Sequence, residues 1–375
     1  MTKRIFITVG EVSGDNHAAG LIAALRAKRP DLLIEAVGGP RMEAAGAVLH
    51  HETTRKAAMT LHALKRVGEI KKLDAWLRRR YTTMYKPDLH ICVDSSGFNL
   101  RFAQLAKEAG VPTLYYVAPQ LWASREGRIK QVREAVDHLA CIFPFEEQWF
   151  SERGVKTTFV GHPLFDALPA NRMERVPHMR YPDRAPIIGV VAGSRSAEVK
   201  DNFPPLLEVM RMIAKQHPTV RFHLPTTPAG DALIREKLDS SLDCVVQQDA
   251  FDDLIPACDL VLCKSGTSTV HVAAYGVPMI VVYRINTLLW HGAGRWLIKT
   301  PKIAMVNILA GNIDLVPEYI PWNGDPAPVA AEALNLLREP SRLAEMRHNL
   351  LKLIEPLDRQ GASNNVADLA LQMLK

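Results

Sequence analysis

Apolar positions along the 375-residue chain follow two alternating periods. Short, nearly continuous runs of aliphatic and β-branched residues recur, and between them apolar residues return every three or four positions. The short runs of the first half are Arg4–Val9, Leu32–Val37, Asp88–Val93, Thr113–Val117 and His138–Ile142. Near-continuous apolar runs of this length are the mark of strands buried on both faces of a parallel sheet. Helical spacing covers Asn16–Lys28, Asn99–Ala109 and Glu126–Ala135. Strands that alternate with helices of about 10–15 residues predict βαβ units and a parallel sheet covered by helices.

The alternation breaks once. The stretch 163–186 holds Pro163, Pro169, Pro177, Pro182 and Pro186 among many charges, the composition of a linker between domains. It then restarts with strands at Ile187–Val191, Val220–Leu224, Cys244–Val246, Leu260–Cys263 and Met279–Tyr283, and a helix at Ala197–Gln216. After Pro326 the pattern is helical only, ending in Ala362–Lys375. The expected fold class is α/β, with two Rossmann-like parallel-sheet domains in tandem and a helical tail. Open parallel sheets bind ligands outside the carboxyl ends of their strands. A cleft between two such domains is therefore the expected site, and the loops after strands are where its chemistry belongs.

Composition excludes several classes. Hydrophobic residues are 47% and charged residues 23%, enough apolar surface for real cores, unlike a disordered or fibrous chain. Mean hydropathy is -0.04, and no apolar run approaches the roughly 18 residues of a membrane span. The apolar stretch at the start is too short for a signal peptide, so a cytoplasmic location is expected. The five cysteines form no C-x-x-C pair and lie in or beside apolar segments, as buried reduced thiols do. The 13 histidines are scattered without metal-ligand spacing, so no metal or cofactor is expected. A net charge of +6 suits phosphorylated ligands or an acidic membrane face as well as an ordinary solvated surface. No aromatic RNA-binding signature is present, and nucleic acid is not an expected partner.

Four loops carry candidate chemistry. The first strand opens into Gly10-Glu11-Val12-Ser13-Gly14-Asp15, a glycine-rich turn entering a helix. Free backbone N–H groups and the helix dipole favour an anion there, although Asp15 also suits a helix cap. A second turn, Gly193-Ser194-Arg195, adds a guanidinium that grips phosphate with two hydrogen bonds, or else pairs with Glu198 or Asp201. A third, Ser265-Gly266-Thr267-Ser268, offers hydroxyl and N–H donors with little bulk, which serve a diphosphate or simply cap a helix. The fourth, Asp94-Ser95-Ser96-Gly97-Phe98-Asn99, puts a carboxylate at a strand's carboxyl end, placed for general-base work or for holding loop amides.

The segment 58–80 is of another kind. Leu61, Leu64, Val67, Ile70, Leu73 and Leu77 recur at helical spacing, with Lys65, Arg66, Lys71, Lys72 and Arg78–Arg80 between them. A basic amphipathic helix of this sort lies on an anionic membrane or packs its apolar stripe on a core.

Taken in order, these pieces resemble one family. They are joined by Gly38-Gly-Pro-Arg-Met42 with Gly46, Tyr115–Trp122, Phe143-Pro-Phe-Glu146, Phe159–Pro163 and Asn307–Gly311. The chain is similar to lipid-A-disaccharide synthases, inverting glycosyltransferases of the GT-B architecture, from Ile5 to about Gly311 and more weakly to its end. The resemblance implies a UDP-2,3-diacylglucosamine donor, a 2,3-diacylglucosamine 1-phosphate acceptor, a β-1,6 link and released UDP. It implies peripheral attachment to the inner face of the cytoplasmic membrane, with the 58–80 segment docking there. It also implies last helices that return to the first domain, and a homodimer formed by exchange of C-terminal parts. The expected domains are 1–165 with the helices of about 345–375 for the acceptor, and 186–344 for the donor.

Carried onto this chain, the donor site is Gly193, Ser194, Arg195, Ser265, Gly266, Thr267, Ser268, His271 and Asn307. The acceptor loops are Gly10, Ser13, Gly14, Asp15 and Asn99. Two residues depart from the family pattern. Gly97 stands where the family has an aspartate ahead of Phe-Asn, and His271 where it has a glutamate suited to ribose. Glycine cannot accept a proton, so the catalytic candidates become Asp94 and Glu11. The same departures leave two rivals: a GT-B transferase with another UDP-sugar or acceptor, and a catalytically silent UDP-sugar-binding protein.

Overall fold

The computed structural model describes residues 2–54, 63–83, 85–238, 240–284 and 300–374, without the side chains of 63–67. The chain forms two compact units. The first is Met1–Ala167 with Arg359–Lys375, and the second is Leu168–Asp358.

The first unit is a seven-stranded parallel sheet in the order β3-β2-β1-β4-β5-β6-β7. Its strands are β1 (Arg4–Val9), β2 (Leu33–Gly38), β3 (Val48–Glu52), β4 (Leu89–Val93), β5 (Thr113–Tyr116), β6 (His138–Cys141) and β7 (Thr157–Phe159). The second unit is a six-stranded parallel sheet in the order β10-β9-β8-β11-β12-β13. It holds β8 (Ile187–Val191), β9 (Arg221–Thr226), β10 (Cys244–Gln248), β11 (Leu260–Lys264), β12 (Met279–Arg284) and β13 (Glu318–Trp322). The fold is the expected pair of parallel α/β domains. The helices that position the sites are α1 (Val12–Lys28), α2 (Pro40–Ala44), α3 (Ala63–Tyr81), α4 (Ser96–Glu108), α5 (Pro144–Ser151), α6 (Ser196–Gln216), α7 (Thr267–Ala274), α8 (Pro340–Ile354) and α9 (Ala362–Met373).

Every strand expected from the pattern is present. The three it missed, β3, β7 and β13, are edge strands and largely half-exposed or exposed. An edge strand faces water along one side, so its sequence lacks the continuous apolar run that marks a central one. The proline-rich stretch is ordered within the second unit from 168 on. Arg180 donates to Cys258 O and Pro256 O, and Arg184 pairs with the buried Asp259 at 2.8 Å.

Only α9 of the last helices belongs to the first unit. Its start is capped from a distance: Asp166 accepts from the N–H groups of Gly361, Ala362 and Ser363 at 2.7, 3.0 and 2.7 Å. The stretch 345–358, expected to return with it, stays in the second unit. There Leu351 on α8 packs so tightly on Gly276 that a Cβ on that glycine would lie 2.7 Å away.

The described part of the basic amphipathic segment faces inward. Leu73, Leu77 and Tyr81 of α3 are buried with Phe6, Val37, Phe98 and Phe102, with Ile70 and Trp76 packed against them. The stripe is core here because α3 lies across the sheet, and Lys71, Lys72 and Arg79 remain on the exposed side. Residues 58–62 and the side chains of Leu64, Lys65, Arg66 and Val67 lie outside the described residues. No described helix is long and apolar enough to cross a membrane. No disulfide joins the five cysteines; four are buried and Cys244 is half-buried.

Candidate functional site

Each sheet reverses its strand order at one place, between β1 and β4 in the first unit and between β8 and β11 in the second. At such a switch the connections leave in opposite directions, and their carboxyl ends open a crevice. The four loops singled out in the sequence are the loops at these two switch points.

In the first unit Val9 and Val93 pair in register at the ends of β1 and β4. Glu11 stands just ahead of α1 with extended backbone, and its side chain makes no capping hydrogen bond to the helix. The helix then passes so close over both strands that a Cβ on Gly14 would lie 2.9 Å from Val9 Cγ1 and 3.3 Å from Val93 O. Glycine is needed here for approach rather than for its dihedral freedom. Asp15 is buried and turned away from this pair of loops, accepting from the N–H groups of Arg41 and Met42 at 3.2 Å each. It braces the start of α2 and does not cap α1, the helix its own loop enters and the cap the sequence had left open for it.

Asp94 and Ser95 follow β4 with φ of 55° and 45°. Left-handed backbone costs a residue with a Cβ about 1–2 kcal/mol, so something must hold it. Asn99 donates through Nδ2 to Val93 O and Asp94 O at 2.7 and 2.9 Å, and Tyr115 OH donates to Asp94 O at 2.7 Å. The Asp94 carboxylate then accepts from Ser13 Oγ at 2.9 Å and from Ser95 N at 2.7 Å. Val117, after β5, is a third residue of this kind at φ 66°, the harder to hold for being β-branched.

A buried chain of hydrogen bonds sets the orientation of Asn99. Its Nδ2 faces two carbonyls, so its Oδ1 must accept from Thr8 Oγ1 at 2.8 Å. Thr8 has then used its proton and accepts from His90 Nε2 at 2.9 Å, which leaves His90 Nδ1 to accept from Tyr81 OH at 3.1 Å. Burial drives the His90 imidazole down to about 3, so it stays neutral in this tautomer.

Glu11, Asp94, Ser95, Val117 and Glu146 line one pocket of about 570 Å³, with Phe98 and Phe143 as apolar wall. Glu146, at the start of α5, accepts from Trp122 Nε1 at 3.0 Å and from the N–H groups of Ile142 and Phe143 at 3.3 and 3.2 Å. Burial pushes its carboxyl up to about 7 against those three donors. Gly97 lines the pocket too, and a Cβ there would meet nothing within 4 Å. Sequence reasoning passed over His17, one turn beyond Ser13 on α1. Burial lowers its pKa while the charge of Asp94 opposes that. The i,i+4 spacing of Ser13 and His17 was the signal that could have found it.

In the second unit the two glycine loops meet. Gly193 has φ 133°, and a Cβ there would lie 2.6 Å from Glu198 Cβ, so glycine is required for α6 to begin where it does. Arg195 Nη1 lies 3.2 Å from Glu198 Oε1, the surface pairing left open for it. Lys264, the last residue of β11, reaches the same oxygen at 3.0 Å, and Ser194 N donates to Oε2 at 3.1 Å. Burial works against the charged Glu198, but these cations and the amide hold its carboxyl below the usual range. Lys264 went unremarked in the sequence because nothing marks which strand-end lysine faces a neighbouring loop. The hydroxyls of Ser265 and Ser268 bond to Ile303 O and Lys264 O at 3.4 and 3.3 Å, while Gly266 and Thr267 are exposed at the start of α7.

His271 and Asn307 are engaged elsewhere. His271 Nε2 lies 2.6 Å from Asp252 Oδ1 and its ring stacks on Phe251 at 4.1 Å. Burial acts to raise the Asp252 carboxyl, and the His271 bond and charge outweigh it to hold it low. Asn307 is buried, donating to Val316 O and Glu318 at 2.9 and 3.0 Å and accepting from Val316 N at 3.0 Å.

Comparison with known proteins adds the following. The family model described as lipid-A-disaccharide synthetase matches residues 5–373. The chain is 36% identical to the lipid-A-disaccharide synthase of Geobacter metallireducens, over 99% of this chain and 97% of that one. Against the enzyme of Nitrosococcus oceani it is 35% identical over 99% and 96%, and against that of Pseudomonas aeruginosa 33% over 99% and 98%. Among solved structures it resembles a UDP co-structure of MnaA from S. aureus, with a TM-score of 0.63 and 13% identity over 96% and 94% of the two chains. CalG4, the calicheamicin glycosyltransferase, gives 0.62 at 15% identity over 100% and 99%. At such identities these two likenesses speak to the fold alone.

Proposed function

Because this chain belongs to the lipid-A-disaccharide synthase family, we propose that its two switch-point loop pairs divide the synthase reaction between acceptor and donor. The chain is a glycosyltransferase that makes the lipid A disaccharide. Its donor is UDP-2,3-diacylglucosamine and its acceptor 2,3-diacylglucosamine 1-phosphate, joined β-1,6 with inversion. Relatives in fold have been solved with UDP and with UDP-GlcNAc bound, which supports a UDP-sugar donor.

The observation that carries the acceptor assignment is the pocket of the first unit, lined by Glu11 and by Asp94, Ser95 and Val117 on left-handed backbone. Strain of this sort concentrates where geometry serves chemistry. Asp94 is the base: it takes the proton of the acceptor 6-hydroxyl as that oxygen attacks the anomeric carbon from the face opposite UDP. The bond from that carbon to the diphosphate oxygen breaks, and UDP leaves with the electron pair. Ser13 and the Ser95 amide keep the Asp94 carboxylate aimed. The leaving diphosphate falls to Arg195, Lys264 and the N–H groups at the starts of α6 and α7, which absorb developing charge.

Asp94→Asn is expected to lower kcat by about 10²-fold or more while leaving UDP affinity unchanged. Normal turnover in that variant together with a collapse in Glu11→Gln moves the role to Glu11. The open space at Gly97 makes Gly97→Asp a second test, expected to raise transfer with the lipid substrates. If wild type and Gly97→Asp are both inert with those substrates, the acceptor assignment fails.

Attachment to an anionic bilayer rests on the exposed basic side of α3. Lys71, Lys72 and Arg79 each add about 1 kcal/mol near such a surface, less as salt rises.

A further inference from the structure

We propose that the Glu198 carboxylate is a built-in competitor for the donor diphosphate, and that Lys264 is a phosphate ligand it holds in reserve. This inference rests on the donor site proposed for the second unit and says how that site is regulated.

Three donors from two different loops converge on this one side chain. Lys264 Nζ and Arg195 Nη1 bind Oε1 at 3.0 and 3.2 Å, and Ser194 N binds Oε2 at 3.1 Å. Their positions are those a diphosphate needs. Ser194 and Arg195 follow Gly193 at the end of β8. Lys264 ends β11, and its Nζ lies 3.8 Å from where a Cβ on Gly266 would be, beside the loop that opens α7. The ammonium thus stands over the second glycine loop while its partner carboxylate folds against the first. Lys264 Nζ also lies 5.4 Å from the centroid of the Tyr283 ring, a second favourable contact that keeps it in place.

A carboxylate and a phosphate compete for the same donors because both present paired oxygens that accept from guanidinium, ammonium and amide N–H. The phosphate carries more charge. When the diphosphate takes Lys264, Arg195 and the Ser194 amide, Glu198 must leave them, since its own charge would repel the ligand at this distance. Glu198 therefore lowers affinity for UDP and for the donor alike. It also keeps Lys264 and Arg195 ordered and offsets one of their two charges, so a weakly bound anion competes poorly for the site. After transfer the same carboxylate returns to its donors and speeds the release of UDP.

A helix-capping role for Glu198 makes a different prediction. Glutamine caps equally well through its amide oxygen, so under that role Glu198→Gln binds UDP as wild type does. Under the competition proposed here Glu198→Gln binds UDP about fivefold to tenfold more tightly, the scale of one charge-assisted hydrogen bond returned to the ligand. The measurement is titration calorimetry of UDP into the full-length protein, at fixed ionic strength, with wild type, Glu198→Gln, Glu198→Ala, Lys264→Ala and Arg195→Ala. Lys264→Ala is expected to weaken binding at least about tenfold. Stopped-flow release of UDP from Glu198→Gln is expected to slow in step with the gain in affinity.

Glu198→Ala serves if Glu198→Gln does not fold, and its expected direction is the same. Equal or weaker UDP binding in whichever Glu198 variant folds, with Arg195→Ala still weakened, overturns the competitor and leaves the donor site standing. Unchanged affinity in Arg195→Ala and Lys264→Ala overturns the donor site itself, and this inference with it.

Discussion

Asp94 shows how much of a site depends on residues that never touch substrate. Its left-handed backbone is held by Asn99 and Tyr115, and Asn99 is oriented in turn by Thr8, His90 and Tyr81. The chain of bonds is directional and fully paired, so removing a link strands a buried polar atom, at about 1–3 kcal/mol. Thr8→Val keeps the shape and removes the hydroxyl. Denaturant melts are expected to show a loss of that size, and kcat is expected to fall below what Thr8→Ser retains. His90 carries a pH signature. Its folded pKa of about 3 lies below the ordinary 6.5, so the unfolded chain binds the proton more readily. Stability from this group is complete above about pH 6.5 and is lost as pH falls toward 3. Acid unfolding of His90→Gln is expected to be shallower across that window. A slope equal to that of wild type means that His90 is not the titrating group. None of this was legible in the sequence, where Thr8, Tyr81 and His90 are unremarkable residues that share no motif with Asn99. Only the pairing of β1 with β4, and α3 folded over both, brings them within reach.

At the scale of elements, α3 and α9 are the instructive cases. The apolar stripe of α3 was legible at once, and its two meanings were not separable by sequence, since a core and an acyl chain favour the same residues. In the structure Leu73 and Leu77 are core. Leu77→Ala is expected to cost about 2–5 kcal/mol in a denaturant melt. Charge reversal at Lys71, Lys72 and Arg79 is expected to leave the melt unchanged and to abolish sedimentation with anionic vesicles at low salt. Sedimentation that survives the reversal excludes α3's basic side as the attachment. Helix α9 was expected from its pattern, but its docking depends on Asp166, which stands nearly two hundred residues earlier and accepts from three N–H groups at its start. Asp166→Ala is expected to cost about 1–2 kcal/mol, the upper range for a lost cap, with early hydrogen exchange confined to residues 359–374. The sequence offers no sign of such a cap because Gly361, the residue before the helix, has no side chain to supply one.

For the molecule as a whole, the same motif is built twice, each sheet opening its crevice at the switch between its first and fourth strands. UDP is expected to raise hydrogen-exchange protection at 193–198 and 264–268 of the second unit, and protection confined to the first unit speaks against the donor assignment. Glu146 gives the first unit a second pH dependence, opposite in sign to that of His90. Its folded pKa of about 7 lies above the ordinary 4.5, so the folded state binds the proton more readily and stability falls as pH rises from about 4.5 through 7. Glu146→Gln is expected to flatten that fall. By itself the sequence determined the two parallel α/β domains, every central strand, the four loops at the strand ends and the family. Each of those rests on local order: an apolar run, a turn residue, a motif read within a few positions. Tertiary structure alone decided the rest. It buried Asp15 and Asn307 as braces, turned half of an amphipathic stripe into core, kept 345–358 in the second unit and drew Lys264 and Glu198 together across two loops. Those outcomes depend on which side chains meet after strands far apart in sequence pair, and an unpaired chain holds no record of that meeting.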